Sequence, residues 1–203
     1  MCEAFTSTAI DPTSRSMQLS DTSQNRRSRH DVHAALRSRT RDDHDRVDAA
    51  FAGYDLRDRD GYAGFLTAHA RALPALEAAL APCALLPDWT GRTDALLADL
   101  KALDMPVPAA LPVEGAYDGA ARWGALYVLE GSRLGGVFLA RQVGDGLPKA
   151  YLSAAHAQGG WQRILATIED AAQGEAWLDA AIRGAKQAFA VFAAAALVDQ
   201  RAR

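Results

Sequence analysis

The chain has 203 residues, 49% of them hydrophobic, and a formal charge of −3. That length supports one domain with its own core, and the charge gives no electrostatic case for nucleic-acid binding. The first residues hold no apolar stretch of the kind a secretory signal needs. No run of 18 uncharged apolar residues offers a membrane span. Cys2 and Cys83 make neither a disulfide framework nor a metal-ligand spacing, which points to a reducing cytoplasm.

Residues 1–30 are rich in Ser, Thr, Asp, Asn and Arg and read as a disordered arm. Its basic stretch "NRRSRH" (25–30) is expected to be solvated. Residues 31–203 read as one helical domain, because alanine and leucine dominate and β-branched runs are few. The first helix is predicted from about Asp31 to Phe51, with Leu36, Thr40, His44, Val47 and Phe51 as its inward stripe. The second runs from about Tyr62 to Leu80, with Leu66, His69, Leu73, Leu76 and Leu80 on one side and a kink or break near Leu73 imposed by Pro74. Asp88 or Thr90 is placed to cap a third helix over about Arg92–Leu103. The three prolines of "DMPVPAALPVEG" (104–115) demand an extended connection.

A fourth helix is predicted from near Asp118 to about Val143, broken by "GDGLP" (144–148). A short helix over 149–155, another over 159–172 with Trp161, Leu165 and Ile168 inward, and a last one from about Glu175 to Asp199 complete the chain. The last carries Trp177, Ile182, Phe189 and Phe192 on its packing face. No segment reads as a strand. The fold class is all-α, a single multi-helix domain.

"YVLEGSRLGG" (127–136) interrupts the fourth helix with Gly131, Gly135 and Gly136. Each glycine costs about 1 kcal/mol against alanine in a helix interior. Three readings fit. The helix breaks there, or Gly131 and Gly135 form a seam for close helix packing, or the backbone is bared so that a flat ligand lies against it. His44 and His69 each sit on an apolar stripe, either as packed core histidines or as metal ligands. His30, His33 and His156 fall near predicted helix ends and look exposed. No zinc-type histidine spacing, GxSxG element or Walker loop is present. Arg37 and Arg41, two turns and one turn before His44, belong to a solvated face with Asp partners or flank an iron ligand and hold carboxylates.

Together these segments resemble the haem oxygenases, and within them the bacterial type associated with bacteriophytochromes. "LRSRTRDDHDRVDAAF" (36–51) resembles the family's proximal helix, "ALYVLEGSRLGG" (125–136) its distal helix, and "AKQAFAVF" (185–192) its closing helix. "GYAGFLTAHARALPALEAAL" (61–80) is a weaker match to the second helix. The resemblance implies a haem-oxygenase-like fold with His44 as the axial iron ligand in preference to His69. It makes Gly131, Ser132 and Gly135 the catalytic distal segment, and Gly136 a continuation of that close approach. Arg37 and Arg41 become contacts for the haem carboxylates, with Arg163 a third candidate, and Phe189 a wall of the pocket. Ser132 stands where many members carry an aspartate. Asp48 stands where a glutamate is common, four residues after His44, and is expected to orient the imidazole.

The activity so implied is cleavage of haem, both cofactor and substrate, to biliverdin, CO and Fe²⁺ with O₂ and external electrons. A ferredoxin or flavoprotein reductase is the implied donor, and a bacteriophytochrome the implied acceptor of biliverdin chromophore. No nucleic acid or membrane partner is expected. The competing readings are a non-catalytic haem-binding or haem-handling protein of the same fold, and a helical interaction protein whose glycines serve packing.

Overall fold

The structure, a computed structural model, describes residues 32–81, 85–87, 89–113, 115 and 117–200, the last two by backbone alone. The predicted arm with its basic stretch, Cys2, His30, Cys83 and the candidate cap Asp88 lie outside the described residues. Among the described residues every regular element is a helix. A helix over residues 32–39 (α1) leads into α2 (Arg41–Phe51). Then come α3 (Arg59–Leu80), α4 (Thr93–Ala102), α5 (Ala121–Leu139), α6 (Ala150–Ser153), α7 (Gly160–Ala171) and α8 (Glu175–Gln200).

The first predicted helix is divided at Thr40. The hydroxyl of this buried residue donates to the Leu36 carbonyl at 2.7 Å. Such back-bonding competes with regular helix geometry and bends the chain. The second predicted helix runs unbroken through Pro74 and starts earlier than expected, where Asp58 accepts from Gly61 N at 2.8 Å. Burial of Leu66, Leu73 and Leu76, all at 0% exposure, outweighs the one hydrogen bond that proline removes. The third helix is not capped by Thr90. Its first N–H groups are taken by Glu77 of α3, whose Oε1 accepts from Arg92 N at 2.7 Å and whose Oε2 accepts from Thr93 N at 3.1 Å. The connection after α4 is extended as expected, and Leu111 N donates to the Arg71 carbonyl at 2.7 Å, fastening it to α3.

The fourth predicted helix is continuous through all three glycines of 131–136 and stops at Leu139. Its packing seam lies elsewhere. A side chain at Gly124 would run into the Ala181 carbonyl of α8, and one at Gly184 into the Ala121 carbonyl of α5. These two glycines let α5 and α8 pack backbone to backbone, a more extensive contact than any other pair among α2 to α8. Ala181, Ala185 and Ala188 continue the same close face. On α7, Ile164 is the residue turned inward with Ile168, and Leu165 is half-buried. α8 is long and apolar enough to cross a membrane by length and composition. More than half of its apolar window is buried inside the protein, as suits a core helix.

The core is formed mainly by α3, α5 and α8. α1 adds Val32 and Leu36 to it, whereas α2 packs on its outside and has no fully buried residue. Val47, Ala50 and Phe51 lean on the core. Ion pairs join α1 and α2 to α8: Arg39 with Asp179 at 2.7 Å and with Glu175 at 3.3 Å, and Asp43 with Lys186 at 3.7 Å.

Candidate active site

Between the α1–α2 arm and α5 lies a cleft of about 620 Å³, within the range of small-molecule and cofactor sites. Its floor is made by Phe65 and His69 of α3, Tyr151 of α6, and Phe189 and Phe192 of α8. Trp161 of α7 closes one end beside His33 and Tyr127.

His44 borders this cleft with its side chain 59% exposed, and its ring meets Phe189 edge-on at 5.8 Å. Its Nδ1 stands 3.2 Å from Asp48 Oδ2, one turn along α2. Nε2 is thereby left as the nitrogen available to a ligand in the cleft. Asp45 and Asp48 bring carboxylate oxygens within 4.8 Å of the His44 ring nitrogen, a grouping of donors able to attract a cation. Exposed acidic residues on adjacent turns make such a cluster without one.

His69 lies in the same cleft, deeper. Its Nδ1 is 3.0 Å from the Phe65 carbonyl, and Phe51, Phe65, Tyr151 and Phe192 surround the ring. Burial pushes its pKa down to about 4, with the nearby Arg92 cation acting in the same direction. It is a neutral imidazole tied to its own helix.

Across the cleft, Gly131, Ser132, Gly135 and Gly136 all border the space. Their roles differ. A Cβ at Gly135 would meet nothing within 4 Å, so bare main chain faces the cleft there. At Gly131 it would touch only the Trp161 ring, at 3.5 Å. At Gly136 it would sit 3.1 Å from the Leu152 carbonyl. Gly136 thus packs closely against α6, a reason for glycine that the expected ligand approach does not supply. The Ser132 hydroxyl donates to the Leu129 carbonyl at 2.7 Å and accepts from Arg92 Nη2 at 2.6 Å.

Arg37 and Arg41 both border the cleft, exposed, and neither is ion-paired with a described residue. The expected Asp partners on their own face are not made. Arg163 does not reach the cleft; its Nη1 donates to the Gln158 carbonyl at 3.1 Å on the surface. His33 is half-buried at the end of the cleft, and burial lowers its pKa. His156 is also not exposed. Its side chain is 12% accessible, with Nε2 3.0 Å from the Glu130 carbonyl. Glu130 further accepts from Trp89 Nε1 at 2.8 Å and from Arg133 Nε at 2.9 Å. This buried group clamps the outer side of α5 immediately before Gly131.

The sequence reading passed over Arg92, Tyr127, Tyr151 and Trp161 as site residues. They come from four separate elements, and no local spacing ties any of them to His44. The one available signal was the polar or aromatic character of residues beside otherwise apolar helix faces.

An all-α domain with an imidazole on one wall, bare backbone on the other and unpaired cations at the rim is suited to a flat, anionic ligand. The comparisons with known proteins agree. No protein-family model matches the chain. A heme oxygenase of Xanthomonas campestris pv. campestris (strain 8004) is 38% identical over 150 residues, 66% of this chain and 88% of that relative. The crystal structure of the heme oxygenase from Neisseria meningitidis in its NO- and CO-bound forms superposes with a TM-score of 0.71, at 24% identity, covering 83% of this chain and 91% of that one. The latter likeness establishes the fold. The chain belongs to the heme oxygenase family.

Proposed function

We propose that the cleft between α2 and α5 binds haem and that the enzyme cleaves it to biliverdin, CO and Fe²⁺. The single observation that carries this placement is that His44 and the bare main chain at Gly135 border one cleft from opposite helices. A planar macrocycle needs this shape, and its apolar faces suit the aromatic floor. His44 is the iron ligand through Nε2, with Asp48 fixing the ring through Nδ1. His69 is the poorer candidate, because it is tied into its own helix and packed on several sides by aromatic rings. Arg37 and Arg41 hold the two carboxylates of the porphyrin. Phe189 supports both the His44 ring and the edge of the macrocycle.

When bound, the iron supplies the O₂ chemistry. The chain supplies orientation. Main chain at Gly131 and Gly135, bare of side chains on the cleft, would allow the face of a bound porphyrin to approach the helix and would restrict the space left for O₂. Ser132 fixes the turn of α5 beside it. The chain carries no flavin or iron–sulfur motif of its own, which supports an external ferredoxin or flavoprotein reductase as electron donor. Resemblance of the "ALYVLEGSRLGG" segment supports assignment to the bacteriophytochrome-associated type, with biliverdin delivered as chromophore. Two cysteines in 203 residues support a cytoplasmic location.

The test is hemin titration followed by turnover under air with ascorbate or a reductase. A Soret band that His44→Ala weakens or shifts, then growth of biliverdin absorbance, is the expected result. A band without biliverdin leaves the haem-handling reading in its place. The absence of a band removes both.

A further inference from the structure

Arg92 is 3% exposed, yet it borders the cleft. It reaches the cleft from the α5 side. Its Nη2 donates to the Leu129 carbonyl at 2.9 Å and to Ser132 Oγ at 2.6 Å. The guanidinium carbon lies 5.1 Å from the centre of the Tyr151 ring. Because the Ser132 hydroxyl gives its own proton to Leu129, its oxygen serves Arg92 as an acceptor. Nη1 and Nε make no hydrogen bond to a described residue.

A buried guanidinium ordinarily stands against a carboxylate. Among the described residues, none lies within 4.0 Å of this one. The acidic groups around it are committed elsewhere. Glu77 turns both oxygens to the main chain of Arg92 and Thr93 and to the Thr93 hydroxyl. Asp99 accepts from Ala150 N and Tyr151 N. Glu130 is held by Trp89, Arg133 and His156. A guanidinium with Nη1 and Nε free to donate is thus fixed beside the cleft with no carboxylate in direct contact.

We infer that Arg92 makes the α5 side of the cleft a cationic site that selects a small anion over a neutral ligand. The inference rests on haem occupying the cleft with His44 on its iron, and it assigns the ligand preference of the opposite face to one residue. Fixed N–H donors of this kind stabilise negative charge in front of them without reorganising. Ser132 is the positioning residue: it anchors the guanidinium and adds no charge. An aspartate at 132 would pair with Arg92 and cancel the cation.

The experiment uses the full chain loaded with ferric haem, titrated with fluoride and, separately, with imidazole, and followed by the visible spectrum. Arg92→Leu lowers fluoride affinity by about tenfold, the effect of losing a charge-assisted hydrogen bond, and leaves imidazole affinity within about twofold. Ser132→Asp gives the same selective loss, and it carries the test alone if Arg92→Leu fails to fold. Unchanged fluoride affinity, or an equal fall for both ligands, in the folded variants overturns the inference. A wild-type chain with no Soret band, or a band indifferent to His44→Ala, overturns the haem placement and this inference with it. A normal, His44-dependent band with no fluoride selectivity overturns this inference alone.

Discussion

Asp48 Oδ2 lies 3.2 Å from His44 Nδ1, and both side chains are more than half exposed. The pair does little for folding, since exposed ion pairs contribute about 1 kcal/mol or less. In the proposed haem site its effect would fall on the imidazole, which it would orient and make a stronger donor through Nε2. Asp48→Ala is therefore expected to leave the melting temperature nearly unchanged while haem affinity drops by about tenfold or more. Thermal unfolding of the apo chain and a hemin titration measure the two quantities. Unaltered haem affinity would remove Asp48 from the site.

Gly135 and Gly136 are neighbours with opposite surroundings. Gly135→Leu projects into the cleft and is expected to abolish haem binding while the apo chain melts no lower, because leucine also improves helix preference by close to 1 kcal/mol. Gly136→Leu presses on the Leu152 carbonyl and is expected to cost about 1–3 kcal/mol of stability. Circular dichroism melts and Soret absorbance of the two variants separate these outcomes. Equal loss of stability in both would show that the glycines serve packing alone.

Glu77 accepts three hydrogen bonds at the start of α4, two of them from main-chain N–H groups. Glu77→Ala strands those donors in a buried place, at a cost of about 2–4 kcal/mol. Denaturant unfolding should show the midpoint falling without a change in slope. Stability within about 0.5 kcal/mol of wild type would contradict the capping role.

His69 has a folded-state pKa near 4, against 6.5 for an ordinary histidine, because its burial penalises the charged ring. The unfolded chain then binds the extra proton first as pH falls. The stability contributed by this group is complete above pH 6.5 and is lost between about pH 6.5 and pH 4, at up to about 1.4 kcal/mol per pH unit. His69→Phe should flatten that part of the stability profile. Denaturation of both forms at pH 7 and pH 4.5 gives the comparison, and parallel losses would place the acid sensitivity elsewhere.

Much of the helix order could be read from periodicity and breakers. The helices now seen as α3, α7 and α8 lie within a few residues of their predicted spans, because long apolar stripes and Gly or Pro stops are local signals. The break at Thr40 was not legible: a threonine at that position suits a continuous stripe, and only its bond to Leu36 shows the interruption. Pro74 misled in the other direction, since burial of the surrounding leucines holds the helix together.

In the cleft, His44, Arg37, Arg41, Ser132, Gly131, Gly135 and Phe189 are brought to one space from α1, α2, α5 and α8. Gly136 also has a packing duty that spacing alone did not reveal. Arg163 was a third candidate through the family resemblance and lies outside the cleft, on the surface. His33 and His156 were read as exposed because they sit near helix ends, but Trp161 stands against both rings.

By itself, the sequence determined an all-helical chain and a histidine and a glycine segment resembling those of one enzyme family. These follow from residue type and short-range spacing, which act within a turn or two of helix. Only the tertiary structure decided which glycines hold helices together and which lie bare, and which cation stands beside Ser132. Gly124 and Gly184, or Arg92 and Ser132, are tens of residues apart, and nothing local fixes their meeting. That is settled by how the helices pack, and packing is a property of the whole core.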